Sequence, residues 1–322
     1  MPSSSTSVFS EPDEFEAALR TQMDIDLLVT GHGRFRSRLT RAALHRLHLE
    51  AGDEPVSRIA FMSMRPDLVL VWWVIGQHGS LFWCGAPISA GEIMILGPGA
   101  RAHARTEGPS RWAGVWITAA DLANSWRVLT GTPFKASVVG SHWQPRPAPL
   151  RTLRTLHAAA IKMFESKPNE VLTTSAIHGV EQQLIHALVK CLSNGTSHAA
   201  HRSSIMLRFE DACATYADRT PPLAEICAML NIPERTLRTL CEQHIGMGPM
   251  AYLRLRRMNS VRRALSLACS ADSTVAELAR RHGFTELGRF VGTYRKLFGE
   301  LPSATLQRKV VLQFNRRCID AH

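Results

Sequence analysis

Two stretches near the C-terminus follow one pattern, and this pattern constrains the fold more than any other feature of the 322-residue chain. The first runs from Leu223 to Leu237 and the second from Val275 to Phe290; each reads as a short apolar helix, a tight turn and a second helix. Gly283 suits the left-handed turn of the second stretch because it has no Cβ to clash, and Asn231 is the next best tolerated residue at the matching place in the first. The sequence therefore predicts two helix-turn-helix units.

The second helix of each unit has an apolar face and a polar face. Leu237, Leu240 and Cys241 are expected to point inward in the first unit, as are Phe290, Tyr294 and Leu297 in the second. The opposite faces carry side chains that can bind base edges in a DNA major groove, where guanidinium groups reach guanine. These outward residues are Arg235, Arg238, Thr239 and Glu242 in the first unit and Arg289, Thr293 and Lys296 in the second.

A helix from Pro249 to about Cys269 is expected to join the two units. Its buried stripe would consist of Leu255, Met258, Val261 and Leu265, and its arginines can neutralise DNA phosphates. The residues predicted for phosphate contact are Arg254, Arg256 and Arg257, with Arg262 and Arg263 adding charge, and Lys296 of the second unit. The formal charge of the chain is +11, and residues 202–322 hold 19 of the 38 Lys+Arg but only 11 of the 27 Asp+Glu. This balance favours an anionic partner, either nucleic acid or an acidic membrane surface.

Three motifs of this region stand in register over about a hundred residues. They are Tyr252-Leu-Arg-Leu-Arg-Arg257-Met258 in the joining helix, Ala279-x-x-x-Gly283-Phe284 in the second turn, and Phe290-x-x-x-Tyr294-Arg-Lys-Leu-Phe-Gly299 followed by Pro302-Ser303. Together they resemble the AraC/XylS family of transcription regulators. The resemblance implies an all-α C-terminal domain of two helix-turn-helix units joined by a linker helix. More weakly, the N-terminal half resembles the cupin-like sensor domains of some members.

By position, the resemblance implies which residues read DNA bases. They are Arg235, Thr236 and Thr239 in the first unit and Leu287, Gly288, Arg289 and Gly292 in the second; Arg238 and Thr293, on the same outward faces, complete the predicted set. Pro233 stands where family members commonly have a capping Ser. Gly288 and Gly292 offer no side chain for reading, and each weakens a helix by ~1 kcal/mol relative to Ala. The first unit is therefore expected to do most of the specific reading.

The N-terminal half has a different periodicity. From about Gly33 to Ile117, short apolar stretches separated by Gly and Pro clusters predict the strands of a β-barrel or sandwich. Thr118-x-x-Asp121 predicts a capped helix through about residue 129, and two paired helices are expected over 150–164 and 170–192. The residues before 14 are expected to be loose. The predicted fold class is α+β, with a cupin-like β-barrel and its following helices before the all-α domain.

Three segments are predicted from these patterns. Residues 14–193 would form a cupin-like domain for effector sensing and dimerisation, 194–204 a linker, and 205–309 the double helix-turn-helix domain. Aromatic residues concentrate between positions 72 and 116, so an effector pocket with a cationic anchor is predicted there, although core packing would explain each residue taken singly. The pocket residues are Trp72, Phe82, Trp83, Arg101, His103 and Trp116.

No metal, cofactor or catalytic site is expected. His45 and His48 form the closest histidine pair, but residues three apart in a strand project to opposite faces. The chain has neither a Gly-x-Ser-x-Gly elbow nor a dinucleotide-binding loop, and its seven scattered cysteines are expected to be buried free thiols. The N-terminus has no secretory pattern, and the longest apolar run, Leu68–Ile75, is far shorter than the ~20 residues of a membrane span. The protein is expected to be cytoplasmic.

The predicted function is a sequence-specific DNA-binding transcription regulator, acting as a ligand-responsive activator. Its partners would be double-stranded promoter or operator DNA, a small-molecule effector, RNA polymerase and a second copy of the chain. Two alternatives stay open. One is a cupin-type metal-dependent enzyme with a DNA-binding tail, and the other is a nonspecific nucleoid-type DNA binder.

Overall fold

The structure, a computed structural model, describes residues 3–76, 79–134, 142–166, 174–193, 195–198, 204–215, 221–268 and 273–308. It divides into two compact units. The first consists of Met1–Leu27, Phe35–Pro55 and Ala60–Arg202, and the second of Leu28–Arg34, Val56–Ile59 and Ser203–His322. The predicted domain limits differ from this division in the two short N-terminal segments that group with the second unit.

The strands form two sheets. Their bounds are β1 Ser3–Phe9, β2 Met23–Val29, β3 Ser37–Ala43, β4 Leu47–Glu54, β5 Arg58–Met64, β6 Leu68–Val74, β7 Ser80–Trp83, β8 Ala86–Ile88, β9 Ile93–Leu96, β10 Arg101–Glu107, β11 Ser110–Thr118, β12 His142–Pro145 and β13 Gly195–His198. The eight-stranded sheet is antiparallel with the order β1-β3-β4-β11-β6-β9-β12-β13, and the five-stranded sheet has the order β2-β5-β10-β7-β8.

Four helices lie among the strands along the described chain, and six more follow the last strand. Their bounds are α1 Pro12–Leu19, α2 Ala119–Thr130, α3 Pro147–Ser166, α4 Thr174–Ser193, α5 Ser204–Thr215, α6 Leu223–Leu230, α7 Glu234–Ile245, α8 Pro249–Leu267, α9 Val275–Arg281 and α10 Leu287–Phe298. A strand-rich region followed by helices, and then an all-helical region, confirms the predicted α+β class. The predicted capped helix is confirmed in α2, where the Thr118 hydroxyl accepts a hydrogen bond from the Asp121 amide at 3.0 Å. The predicted turn at 167–169 lies outside the described residues.

The central strands β6, β9 and β11 of the eight-stranded sheet are buried on both faces, with successive side chains pointing to opposite sides. Val71, Trp73 and Val115 belong to one hydrophobic core that also contains Leu153 of α3 and Leu188 of α4. Trp72 points the other way, towards the five-stranded sheet, where its ring lies 5.5 Å from the ring of Trp83. One face of this sheet is therefore covered by helices and the other by the second sheet.

Two segments are more ordered than the sequence predicts. Ser3–Phe9 was expected to be loose, but it pairs along its whole length with β3, and the Thr6 and Thr40 hydroxyls lie 3.2 Å apart. Gly195–His198, within the predicted linker, pairs with β12. Both are edge strands, which backbone hydrogen bonds can hold without an apolar pattern on both faces, so hydrophobic periodicity does not reveal them.

The second unit contains both predicted helix-turn-helix units. In the first, α6 is followed by Asn231 in the left-handed region (φ 54°) and then by α7. In the second, α9 is followed by Gly283 (φ 77°) and then by α10. The joining helix is α8, which at 1.5 Å per residue is about 28 Å long. Its predicted stripe is buried at Met258, Val261 and Leu265.

Candidate nucleic-acid interface

The first recognition helix, α7, is held by its apolar side. Leu237, Cys241 and Ile245 are fully buried. The turn before it is closed by two backbone bonds of 3.1 Å, from the Asn231 amide to the Ala228 carbonyl and from the Ile232 amide to the Cys227 carbonyl. These contacts fix how α7 leaves the turn and which of its faces meets solvent.

The outward face of α7 carries all four residues predicted to read bases. Arg235, Thr236, Arg238 and Thr239 are exposed. Arg238 pairs with Glu234 at 2.9 Å, but both side chains are more than half exposed, and an ion pair of this kind contributes little stability. The side chain of Arg235 meets no hydrogen-bond or ion-pair partner in the part of the chain that the structure describes. The guanidinium of Arg235 is thus available to an external partner.

The start of α7 differs from an ordinary capped helix. Pro233 occupies the N-cap and has no side-chain acceptor, so the first-turn amides receive no cap there. Glu234 places a carboxylate in the first turn, where the helix dipole favours negative charge. Pro233, in place of a capping Ser, therefore leaves α7 without a side-chain cap at its first turn.

The second helix-turn-helix unit has a better capped first helix. The Thr274 hydroxyl accepts a hydrogen bond from the Glu277 amide at 3.2 Å, a capping contact readable as Thr-x-x-Glu. The recognition helix α10 begins at Leu287 with Glu286 as its N-cap and no side-chain cap. Its inward face is aromatic, because Phe290, Tyr294 and Phe298 are buried.

The outward face of α10 is flat. Gly288 and Gly292 are exposed, and beyond the adjoining residues and backbone of α10 no described atom lies within 4 Å of the position that a Cβ would take at either one. Packing within the described residues therefore does not require glycine at these positions. Arg289 is 70% exposed and pairs with Glu286 at 3.1 Å, and Lys296 is exposed. Leu287 and Thr293, the other predicted readers, are half-buried.

Four arginines of α8 lie in three environments: one is exposed, one packs on an aromatic ring, and two are largely buried beside acidic side chains. Arg254 is exposed and donates a hydrogen bond of 3.3 Å to the Thr293 hydroxyl, so it lies beside the outward face of α10. Arg257 lies with its guanidinium 5.4 Å from the ring centre of Phe284 and its Nε buried, and burial lowers its pKa. This arginine packs against the turn of the second unit more than it faces solvent.

Arg256, predicted to contact phosphate, instead has an acidic partner within the unit. Its guanidinium forms an ion pair with Glu210 of α5, and its side chain is only 17% exposed. Arg262, expected to add phosphate charge, is also buried, at 3.9 Å from Glu300 and 5.3 Å from the ring of Phe298. Both arginines are held inside the unit by acidic or aromatic side chains from other segments of the chain.

Sequence reasoning missed Glu210. Its carboxylate accepts a hydrogen bond from the Tyr252 hydroxyl as well as pairing with Arg256, and Glu210 is buried. The signal was present in the sequence, because Glu210 interrupts the apolar stripe of α5 formed by Met206, Phe209 and Cys213. A charge on an apolar stripe indicates a buried partner.

The six residues predicted to line an effector pocket do not share one space. Trp72, Trp83 and Trp116 are buried between the two sheets. Register places Phe82 opposite Arg105 and Trp83 opposite Ala104, so Phe82, Arg101 and His103 lie on the other face of the five-stranded sheet. There His103 stacks on Phe61 at 5.4 Å, Arg105 lies over Phe82 at 3.8 Å, and Arg101 is exposed.

Neither metal nor thiol chemistry is evident in the described ranges. No group of three His, Cys, Asp or Glu residues there could hold a metal ion. Cys84, Cys191, Cys213, Cys227 and Cys241 are buried and free, as predicted, whereas Cys269 and Cys318 lie outside the described residues. Burial raises the pKa of Cys191 and of Cys241 to about 12, so these thiols stay protonated at neutral pH. Among the described helices, none is long and apolar enough to cross a membrane.

Residues 226–308 match the family model of a helix-turn-helix domain. The curated XylDLEGF operon transcriptional activator 2 of Pseudomonas putida is 37% identical over 103 residues, which are 32% of this chain and 62% of that protein. XylDLEGF operon transcriptional activator 1 of the same organism is 42% identical over 87 residues, 27% of this chain and 25% of that protein. The solved structure of the AraC-like transcriptional activator CuxR has a TM-score of 0.45 at 16% identity, over 80% of this chain and 94% of that one. The chain thus spans less than two thirds of each of these curated relatives.

Proposed function

We propose that this chain belongs to the AraC/XylS family, which its C-terminal region resembles, and that it is a sequence-specific DNA-binding transcription regulator. One observation carries the proposal. Helix α7 is anchored by fully buried apolar residues while Arg235, Thr236, Arg238 and Thr239 project into solvent. Such a face can enter a major groove and bind base edges.

The two recognition helices would have different tasks. Arg235 of α7 has a free guanidinium fork, which suits the O6 and N7 acceptors of a guanine. Helix α10 offers Arg289, Lys296 and the neighbouring Arg254 around two exposed glycines. A flat face of this composition favours close approach and phosphate contact over base reading. The first unit would therefore supply most of the sequence preference and the second would supply position and affinity.

The N-terminal, strand-rich compact unit would regulate the C-terminal helical unit through a bound effector. The Nε1 groups of Trp72 and Trp83 are buried between the sheets without an acceptor in the described part of the chain. The neighbouring Trp116 donates to Glu50 at 2.8 Å instead. A buried donor without an acceptor costs about 1–3 kcal/mol, so an effector with an acceptor oxygen would gain affinity there. The effector would act by binding more tightly to the DNA-competent state.

The wider role follows from the relatives. Both curated relatives are named as transcriptional activators, so we propose activation, with RNA polymerase and a second copy of the chain as further partners. The relatives are regulators, which favours a non-enzyme that works beside the chromosome in the cytoplasm. Residues 14–193 would sense and dimerise, 194–204 would connect, and 205–309 would bind DNA.

Selection of bound duplexes from a random pool tests the proposal against both alternatives. We expect enrichment of a motif whose preferred bases lie mainly in the major-groove segment that α7 enters, bound at least 10³-fold more tightly than random duplex. A nonspecific binder would enrich no motif, and its affinity for all duplexes would fall alike with salt. Elemental analysis that finds stoichiometric transition metal would instead favour the cupin-type enzyme.

A further inference from the structure

The N-terminal compact unit has a cleft of about 620 Å³ on the outer side of the eight-stranded sheet, against α3. Its apolar floor includes Trp73 of β6 and Ile161 of α3, both buried. Because Trp72 and Trp73 project to opposite faces of β6, this cleft is separate from the space between the sheets. Its volume lies within the ~300–1,000 Å³ of small-molecule sites.

The charges of the cleft are unbalanced. Its lining includes the cations Arg38, Arg111, Arg154 and Lys162 and the acids Asp53 and Glu165. Glu165 is already engaged, because its Oε1 accepts from Arg38 at 2.7 Å and from Thr40 at 2.8 Å. Asp53 lies 3.9 Å from Arg111, and both side chains are more than half exposed. The cations therefore outnumber the acids, and the pairs leave Arg154 without a carboxylate.

Arg154 is the incompletely satisfied cation of this cleft. One terminal nitrogen donates to the Ala90 carbonyl, but its Nε is buried and has no acceptor in the described residues. Desolvation lowers the pKa of this guanidinium, although it stays charged at neutral pH. A buried charged donor without an acceptor is costly, so an anion at this point would be favoured.

His157 completes the floor as a neutral group. Its Nε2 donates to the Gly114 carbonyl at 3.1 Å, and its ring meets Trp73 edge-on at 5.1 Å between centroids. Burial lowers the pKa of His157 to about 4, so the ring adds no charge at neutral pH. The cleft thus combines an aromatic and aliphatic floor with cations along its wall.

We propose that this outer cleft binds a small organic acid, with its apolar body on Trp73 and Ile161 and its carboxylate at Arg154 and Arg111. The carboxylate would accept hydrogen bonds from the Arg154 guanidinium, which lines the cleft and has no carboxylate partner among the described residues. The acid would be a second ligand of the sensing unit, bound outside the space between the sheets.

Calorimetry on the full chain tests this with two probes, 2-naphthoate and octanoate, each beside its uncharged amide. We expect at least one acid to bind, and to bind at least tenfold more tightly than its amide. Arg154→Gln should weaken that binding at least tenfold. Arg151→Gln removes the same charge from an exposed position of the same helix outside the lining, and should leave the affinity unchanged.

Trp83→Phe separates this site from an effector site between the sheets, and it should leave binding of the acids intact. Circular dichroism melting would establish that each variant is folded. The proposal is overturned if neither acid binds, if Arg154→Gln binds as tightly as the parent chain, or if Trp83→Phe abolishes binding. It is equally overturned if Arg154→Gln changes only the monomer–dimer equilibrium in sedimentation, because the cleft would then be an interface between copies.

Discussion

Arg256 of α8 is ion-paired with Glu210 of α5, and the two side chains are only 17% and 7% exposed. The pair ties the helix that precedes the first helix-turn-helix unit to the helix that joins both units. The Tyr252 hydroxyl adds a second donor to the same carboxylate. The core of this helical unit therefore includes a charge pair in which one partner, Arg256, is predicted from the sequence to contact DNA phosphate.

Glu210→Gln should lower the free energy of unfolding by about 3–5 kcal/mol, because it leaves the Arg256 charge buried without its partner. Urea unfolding measures this. Glu234→Gln is the control, since it breaks the exposed pair with Arg238 and should change stability by less than ~1 kcal/mol. Replacing both charges, Glu210→Leu with Arg256→Met, should restore most of the loss. If Glu210→Gln lowered the free energy of unfolding no more than Glu234→Gln does, the buried pair would contribute little to stability.

Arg254 and Arg256 lie two residues apart on α8 but should differ in DNA binding. Arg254→Ala should reduce the slope of log affinity against log salt concentration by about 1, because one phosphate contact is lost. Arg256→Ala should leave that slope unchanged while destabilising the fold. Binding titrations between 50 and 200 mM salt, roughly the range over which such contacts respond, provide the measurement. An unchanged slope for Arg254→Ala would remove this residue from the interface.

Gly288→Glu should abolish DNA binding without unfolding the chain. It adds bulk and negative charge to the exposed face of α10, and the space around residue 288 is open. A carboxylate in the first turn of a helix is itself favourable, so stability should not fall. Gly179→Glu makes the same change at an open position of α4 and should leave DNA affinity unaltered. If Gly288→Glu keeps its DNA affinity, α10 does not dock.

Stability should fall as the pH drops from about 6.5 to 4. His157 has a pKa near 4 in the folded chain and about 6.5 when unfolded, so between these values only the unfolded state takes up its proton. The stabilisation that comes from keeping His157 neutral is complete above pH 6.5 and falls by roughly 3 kcal/mol as the pH drops towards 4. Denaturant unfolding at several pH values should reveal this dependence, and His157→Gln should remove most of it. The same pH dependence in His157→Gln would assign it to other groups.

Local pattern was sufficient to predict the helix-turn-helix units. The turn residues Asn231 and Gly283 and the buried positions Leu237 and Phe290 follow from short-range spacing and backbone sterics. The internal position of Arg256 could not be predicted in this way, since it depends on α5, which approaches from 46 residues earlier in the chain. Charged residues on a helix have the same spacing whether they meet solvent or a buried partner.

The strand-rich N-terminal unit was less predictable because strand register decides which residues meet. Phe82 and Trp83 are adjacent in sequence, and their alternation sends them to opposite faces of a sheet. Aromatic composition cannot distinguish these faces. The outer cleft also needs α3 to lie against the sheet, which brings Arg154 near Trp73 although 81 residues separate them.

The most direct test of specific reading by α7 is a scan of every base pair in the selected duplex, with the parent chain and with Arg235→Ala. Arg127→Ala, an equal loss of charge at an exposed position of α2, is the control. We predict that Arg235→Ala loses about 1–3 kcal/mol of discrimination at one base pair and keeps its preferences elsewhere. A uniform loss of affinity at all base pairs, with every preference intact, would contradict reading by α7 and reduce Arg235 to a phosphate contact.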